Sequence, residues 1–133
     1  DAVRVEGPTD LTVRCDLDLT SRVLTNLLGN ALRYQPPDEP VRLKISSLEH
    51  QLEFRVIDLG PGIPLEYQNR IFDKYAQASS ASRGHTSGLG LTFCKMAVER
   101  QSGSIGVSSD LGKGSQFWFR LPVNRPAGLR LLD

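Results

Sequence analysis

A strand-like run, Leu52-Glu53-Phe54-Arg55-Val56-Ile57, ends abruptly in Asp58-Leu59-Gly60-Pro61-Gly62. This junction constrains the fold more than any other stretch. A carboxylate leaving a buried strand loses water, and the two glycines behind it cost backbone entropy, so the loop needs something in compensation. A ligand donor that pairs with Asp58, approaching over the bare backbone of Gly60 and Gly62, would supply it. Taken by itself, Asp-x-Gly-Pro-Gly reads first as a turn, because each of its residues favours turns. Two further stretches weigh against that plain reading.

The bulk properties set the frame for them. A chain of 133 residues suits one domain with one core. Its apolar residues (39%) and 12 glycines are those of an ordinary globular protein. With 16 basic and 15 acidic residues the net charge is +1, so no global field draws nucleic acid or an acidic membrane, and an anionic ligand must be held by local groups. Cys15 and Cys94 stand far apart with no Cys-x-x-Cys spacing, which suits buried thiols in a reducing, cytoplasmic setting. No apolar run is long enough to span a membrane, so no direct membrane insertion is expected. The chain opens without a methionine and reads as a piece of something longer.

Along the chain, residues 2–6 alternate as a short strand and 11–15 as another, both expected at sheet edges. Asp16 or Asp18 can cap a helix reaching about Tyr34, with Leu19, Val23, Leu27 and Ala31 on one stripe, and Pro36-Pro37 stops it. Residues 41–48 and 51–58 predict a hairpin turning at Glu49-His50. A helix is expected over 65–75. Residues 76–87, almost all small or polar, suit a lid or binding loop. Residues 88–100 predict another helix ended by Ser102-Gly103, and 104–108 with 115–121 a final hairpin. The expected class is α/β, a mixed and mostly antiparallel sheet with about three helices on one face. Residues 1–123 form the expected domain and 124–133 a tail or linker.

The first supporting stretch is on the long helix, where Asn26 and Asn30 are four apart and Arg33 and Tyr34 continue that side. A solvated polar face is one account of them. The other is functional: an amide oxygen is a neutral hard ligand, suited to a magnesium ion whose charge is balanced mostly by phosphates. The second stretch is Ser87-Gly88-Leu89-Gly90-Leu91, where glycines at a helix start expose N–H groups to an anion such as phosphate. Neither glycine pair has the third glycine of a dinucleotide fingerprint, and Gly112-Lys113-Gly114 lacks the context of a Walker loop. His50 and His85 have no Ser or Cys partner at a suggestive spacing.

Together these stretches resemble the catalytic ATP-binding domain of sensor histidine kinases of two-component systems, within the wider Bergerat-fold group. Asn26-Leu-Leu-Gly-Asn30-Ala-Leu-Arg33-Tyr34 resembles the N box, Asp58-x-Gly60-x-Gly62 the G1 box, Ile71-Phe72-Asp73-Lys74-Tyr75 the F box, and Ser87-Gly88-Leu89-Gly90-Leu91 the G2 box. The resemblance covers residues 10–122 and implies a two-layer Bergerat sandwich. It implies that Asp58 accepts from the adenine amino group, that Asn30 holds Mg²⁺, and that Arg33 and Tyr34 border the phosphates and base, with Asn30, Asn26 and Arg33 as the catalytic set. Gly60, Gly62, Ile63, Lys74, Tyr75, Arg83 and Ser87 to Leu91 are the remaining implied nucleotide contacts, with 76–87 as the ATP lid. The implied partners are a helical dimerisation domain carrying the phosphoacceptor histidine and a response regulator receiver domain.

Two departures stand out. Thr86 occupies a place where the family usually has glycine, and no His-Glu acceptor motif exists in the chain. The chain is therefore expected to be the catalytic half only. A hydrolysing Bergerat ATPase and a degenerate binding module are the alternatives. The hydrolysing relatives carry a glutamate where this chain has Asn26, which disfavours the first of these.

Overall fold

Period-two patterning and one amphipathic helix account for most of the architecture. The computed structural model describes residues 2–73 and 90–123. Its elements, in order, are β1 (Val3–Glu6), α1 (Leu17–Tyr34), β2 (Val41–Leu48), β3 (Gln51–Asp58), α2 (Leu65–Gln68), α3 (Gly90–Glu99), β4 (Ser104–Ser109) and β5 (Ser115–Pro122). The strands form one sheet in the order β1-β2-β3-β5-β4, with β1 parallel to β2 and every other pair antiparallel. The helices cover one face, as expected for a mixed α/β sandwich.

Alternation assigns the faces. Leu52, Phe54 and Val56 of β3 and Phe117, Phe119 and Leu121 of β5 point inward and are buried. Phe54 stacks on Phe119 across the β3/β5 pair, with ring centroids 4.7 Å apart. Against this layer α1 lays Val23, Leu27 and Ala31, and α3 lays Leu91, Cys94, Ala97 and Val98. On the opposite face the intervening residues build a charged platform. The Glu53 carboxylate accepts from Arg55 Nε at 3.0 Å and from Arg120 Nε at 2.9 Å, and both guanidinium groups lie over the ring of the half-buried Trp118, 6.0 and 4.4 Å from its centroid. Gly106 on β4 makes room for the indole, since a Cβ there would run into the ring.

The helix ends follow local chemistry. Asp16 caps α1, its Oδ1 accepting from Leu19 N–H at 2.9 Å, a bond of the kind worth about 1 kcal/mol. Gln35, ahead of Pro36, is driven to extended backbone (ψ 137°) and ends the helix. α3 closes with Ser102 N–H on Glu99 O and Gly103 N–H on Val98 O, with Ser102 left-handed at φ 63°. The Glu49-His50 turn also stands where the sequence puts it, with His50 at φ 63°.

Two expectations are corrected. Residues 11–15 are extended and turn Leu11, Val13 and Cys15 toward the core, but they join no ladder and form no strand. The alternation reflects which residues pack against the core rather than sheet pairing. Over 65–73, the described part of the helix expected over 65–75, only a single helical turn forms, because Gln68 swings its side chain back to the carbonyls of Ile63 and Ser109. The chain then continues in three-residue turns, Arg70 N–H to Tyr67 O and Asp73 N–H to Arg70 O.

Candidate functional site

Asp58 is the last residue of β3 on the core-facing register, so the strand that buries Leu52, Phe54 and Val56 also buries the carboxylate, leaving it 1% exposed. Gly60 N–H donates to its Oδ1 at 2.8 Å, folding the loop back over the acid. The loop's glycines are there for space. A Cβ on Gly60 would lie 2.8 Å from the Tyr34 carbonyl oxygen at the end of α1. Gly62 has φ 82° and passes against the Asp110 carbonyl, and Gly114, at φ 89°, passes against that of Asp58 itself. The β4–β5 turn is thus docked on the acidic loop, and Gly112 N–H donates to Pro61 O at 2.8 Å.

Polar side chains outside the motifs hold both flanks of the loop. On one side Gln35 Oε1 accepts from Leu59 N–H at 2.6 Å. On the other, Ser109 Oγ accepts from Ile63 N–H at 2.8 Å and donates to Gly114 O, while Gln68 Nε2 donates to Ile63 O. Sequence reasoning missed Gln35, Gln68 and Ser109. Their only signal was polarity in helix ends and strand ends, where polar residues are ordinary.

The α1 residues Asn26, Asn30 and Tyr34, one turn apart, form a stripe joining two glycine positions. At its start Asn26 donates through Nδ2 to Arg22 O at 2.9 Å, and its Oδ1 lies 3.0 Å from where a Cβ on Gly90 would stand. At its end Tyr34 abuts Gly60. Asn30 sits between them and is buried. Among the described residues α3 begins at Gly90, beside Asn26, whereas the negative end of α1 meets the Asp58 loop. A helix C-terminus favours a hydrogen-bond donor at the Asp58 end. An amide oxygen such as that of Asn30 is the kind of neutral ligand that a hard cation takes alongside phosphates and water.

The remaining candidates divide. Arg33 is exposed in the last turn of α1. Ile63 and Leu91 are buried members of the apolar core beneath the loop and α3. Lys74, Tyr75, Arg83, Ser87, Gly88 and Leu89, the 76–87 segment and the 124–133 tail lie outside the described residues.

Comparison with known proteins identifies the fold. The family described as histidine kinase-, DNA gyrase B-, and HSP90-like ATPase matches residues 15–125. The adaptive-response sensory kinase SasA of Synechococcus sp. (strain JA-3-3Ab) is 42% identical over 91% of this chain, which spans 33% of that protein. Sensor protein SrrB of Staphylococcus aureus is 39% identical over 80% of this chain, which spans 19% of it. The chain therefore covers a third or less of these curated relatives. Among solved structures, full-length ShkA in complex with AMPPNP superposes with a TM-score of 0.77 at 30% identity, over 91% of this chain and 25% of that one. The mycobacterial sensor histidine kinase MprB gives 0.77 at 28% identity, over 90% of this chain and 80% of that one. On a match that runs through nearly the whole sheet and both long helices, this chain belongs to the histidine kinase-, DNA gyrase B- and HSP90-like ATPase family, as a catalytic ATP-binding domain of the sensor histidine kinase kind.

Proposed function

We propose that residues 1–123 bind Mg-ATP and donate its γ-phosphoryl group to a histidine on a separate helical dimerisation domain, from which a response regulator receiver domain is then phosphorylated in the cytoplasm. The observation that carries this reading is the Asn26–Asn30–Tyr34 stripe, which runs from the start of α3 to the buried Asp58. Asp58 accepts from the adenine amino group at one end, and the Gly90 end takes the phosphates. Asn30 is the protein ligand to Mg²⁺, which supplies charge neutralisation on the triphosphate. Arg33, Lys74 and Arg83 are proposed to face the phosphates, and Tyr34, Ile63, Tyr75 and Leu91 to border the nucleotide. Transfer is then mostly positioning, with the acceptor imidazole as nucleophile. The AMPPNP complex of ShkA supports nucleotide as the ligand class.

The test is displacement of a fluorescent ATP analogue by ATP and by GTP, with and without Mg²⁺, followed by transfer to a supplied dimerisation domain. ATP is expected to compete far better than GTP, because guanine turns a carbonyl toward Asp58. Asp58→Ala should lose about 1.5–3 kcal/mol of ATP binding. Equal competition by GTP, or ATP binding untouched in Asp58→Ala, would refute the base pocket.

A further inference from the structure

Gln35 stands outside every motif that the family resemblance supplies, yet its side chain joins two segments distant from each other. Its Oε1 accepts from Leu59 N–H at 2.6 Å, inside the Asp58–Gly62 loop. Its Nε2 donates to Pro40 O at 2.8 Å and to Glu39 O at 3.1 Å, in the turn that leads into β2. Its own backbone N–H completes α1 on Ala31 O at 3.0 Å. Because two carbonyl oxygens take up both amide hydrogens, the amide has only one sensible orientation, with its oxygen on Leu59.

From this geometry we infer that Gln35 is a positioning residue for the nucleotide, fixing the Asp58–Gly60 backbone against the end of α1 so that the Asp58 carboxylate keeps its aim. The inference rests on the proposed nucleotide reading of the loop. Leu59 is the residue between the acid and the first glycine, and its exposed side chain contributes nothing to holding the loop from within. Gly60 N–H already folds onto Asp58 Oδ1, so the acid and the loop move as one unit. The Gln35 bond ties that unit to α1, whose Tyr34 carbonyl stands against Gly60. Ser109 and Gln68 fasten the far flank at Ile63, beyond the second glycine, and do not reach Leu59. Releasing Gln35 therefore loosens the Leu59–Gly60 turn that hydrogen-bonds the carboxylate, while Asp58 keeps its ladder pairing with Ser115 and the far flank stays fastened at Ile63.

Gln35→Met keeps the length of the side chain and deletes its hydrogen bonds, whereas Gln35→Glu keeps an acceptor for Leu59 N–H. The readouts are amide hydrogen exchange at Leu59, ATP and GTP affinity by displacement of the fluorescent analogue, and the urea midpoint. In Gln35→Met, Leu59 exchange is expected to rise about tenfold or more. ATP affinity should fall about three- to tenfold, the loss of one hydrogen bond. The ATP-over-GTP preference should fall with it, which a merely structural role would not cause. Gln35→Glu should lie between Met and the native residue in both. ATP binding and base preference unchanged in a folded Gln35→Met, or equal losses in the Met and Glu variants, overturn the inference while leaving the proposed function standing. If Gln35→Met does not fold, Gln35→Glu with ATP affinity lowered in step with faster Leu59 exchange supports the inference, and with native affinity despite faster Leu59 exchange overturns it. Native protein that binds neither nucleotide overturns both readings together.

Discussion

Gly114 crosses the backbone carbonyl of Asp58 so closely that no side chain fits between them. The glycine belongs to the β4–β5 turn and the carbonyl to the end of β3, so one contact sets the depth of the acidic loop. Gly114→Ala adds a Cβ against that carbonyl at a position with φ 89°. The left-handed backbone costs about 1–2 kcal/mol and the overpacking a similar amount, for roughly 2–4 kcal/mol in all. A fall of that size in urea stability, with loss of nucleotide binding, is the expected result.

Asn30→Ala is expected to remove the Mg²⁺ contribution to ATP binding and abolish transfer while the protein remains folded. Binding measured with and without Mg²⁺ should give the same affinity in this variant.

Asn26 has an amide where a base would be needed to activate water, an effect worth about 10²–10⁴-fold. Native protein should therefore turn over ATP very slowly. Asn26→Glu should raise phosphate release, provided the longer side chain clears Gly90, against which the native amide oxygen already lies. Steady Mg²⁺-dependent hydrolysis by the native chain, lost in Asn30→Ala, would favour a clamp ATPase instead.

Ser102 occupies the left-handed position that ends α3, with φ 63°. Ser102→Gly should stabilise the fold by about 0.5–1 kcal/mol, read as a higher midpoint in thermal or urea unfolding.

Glu53 contributes to the acid limb of the stability profile. Burial raises its pKa, but hydrogen bonds from Arg55 and Arg120 outweigh burial and hold it below the ordinary value of 4.5. A carboxyl depressed in the folded state contributes stability that is fully present above the unfolded value and disappears as the pH falls through the folded one. Glu53→Gln should therefore be less stable than native at neutral pH, and the difference should shrink steadily below about pH 4.5. Urea midpoints of the two proteins between neutral pH and strong acid test this.

Cys94 is fully buried, and desolvation pushes its thiol up to about 12, so it stays protonated and shielded. Cys15 is partly accessible. A disulfide reagent at neutral pH should label one thiol quickly and the second only on unfolding.

Much of this was legible in the sequence for one reason: periodicity and punctuation are local. The β2–β3 hairpin was readable because Glu49-His50 interrupts two alternating runs, and α1 because Asp16 and Pro36 bracket a single stripe. The stretch 11–15 misled, since alternation reports which side faces the core and not whether a neighbouring strand exists. The 65–75 helix misled because its shortness depends on Gln68 finding carbonyls at Ile63 and Ser109, and Ser109 is 41 residues away. The site divided in the same way. Asp58, Gly60 and Gly62 were conspicuous because a buried acid beside glycines breaks local rules. Gln35 and Ser109 obey those rules, and their importance lies in contacts that only the folded chain creates.

The platform on the outer face of the sheet has a practical consequence. Trp118 is the chain's single tryptophan, and it sits on the opposite face of the sheet from Asp58, beside Arg55 and Arg120. Its emission answers to the guanidinium groups that touch it and to the β-strands that hold them. Intrinsic fluorescence is therefore a reporter of whether the sheet is intact. It should be nearly silent while the Asp58 loop on the other side fills and empties, so ligand titrations on this protein need a probe carried by the nucleotide.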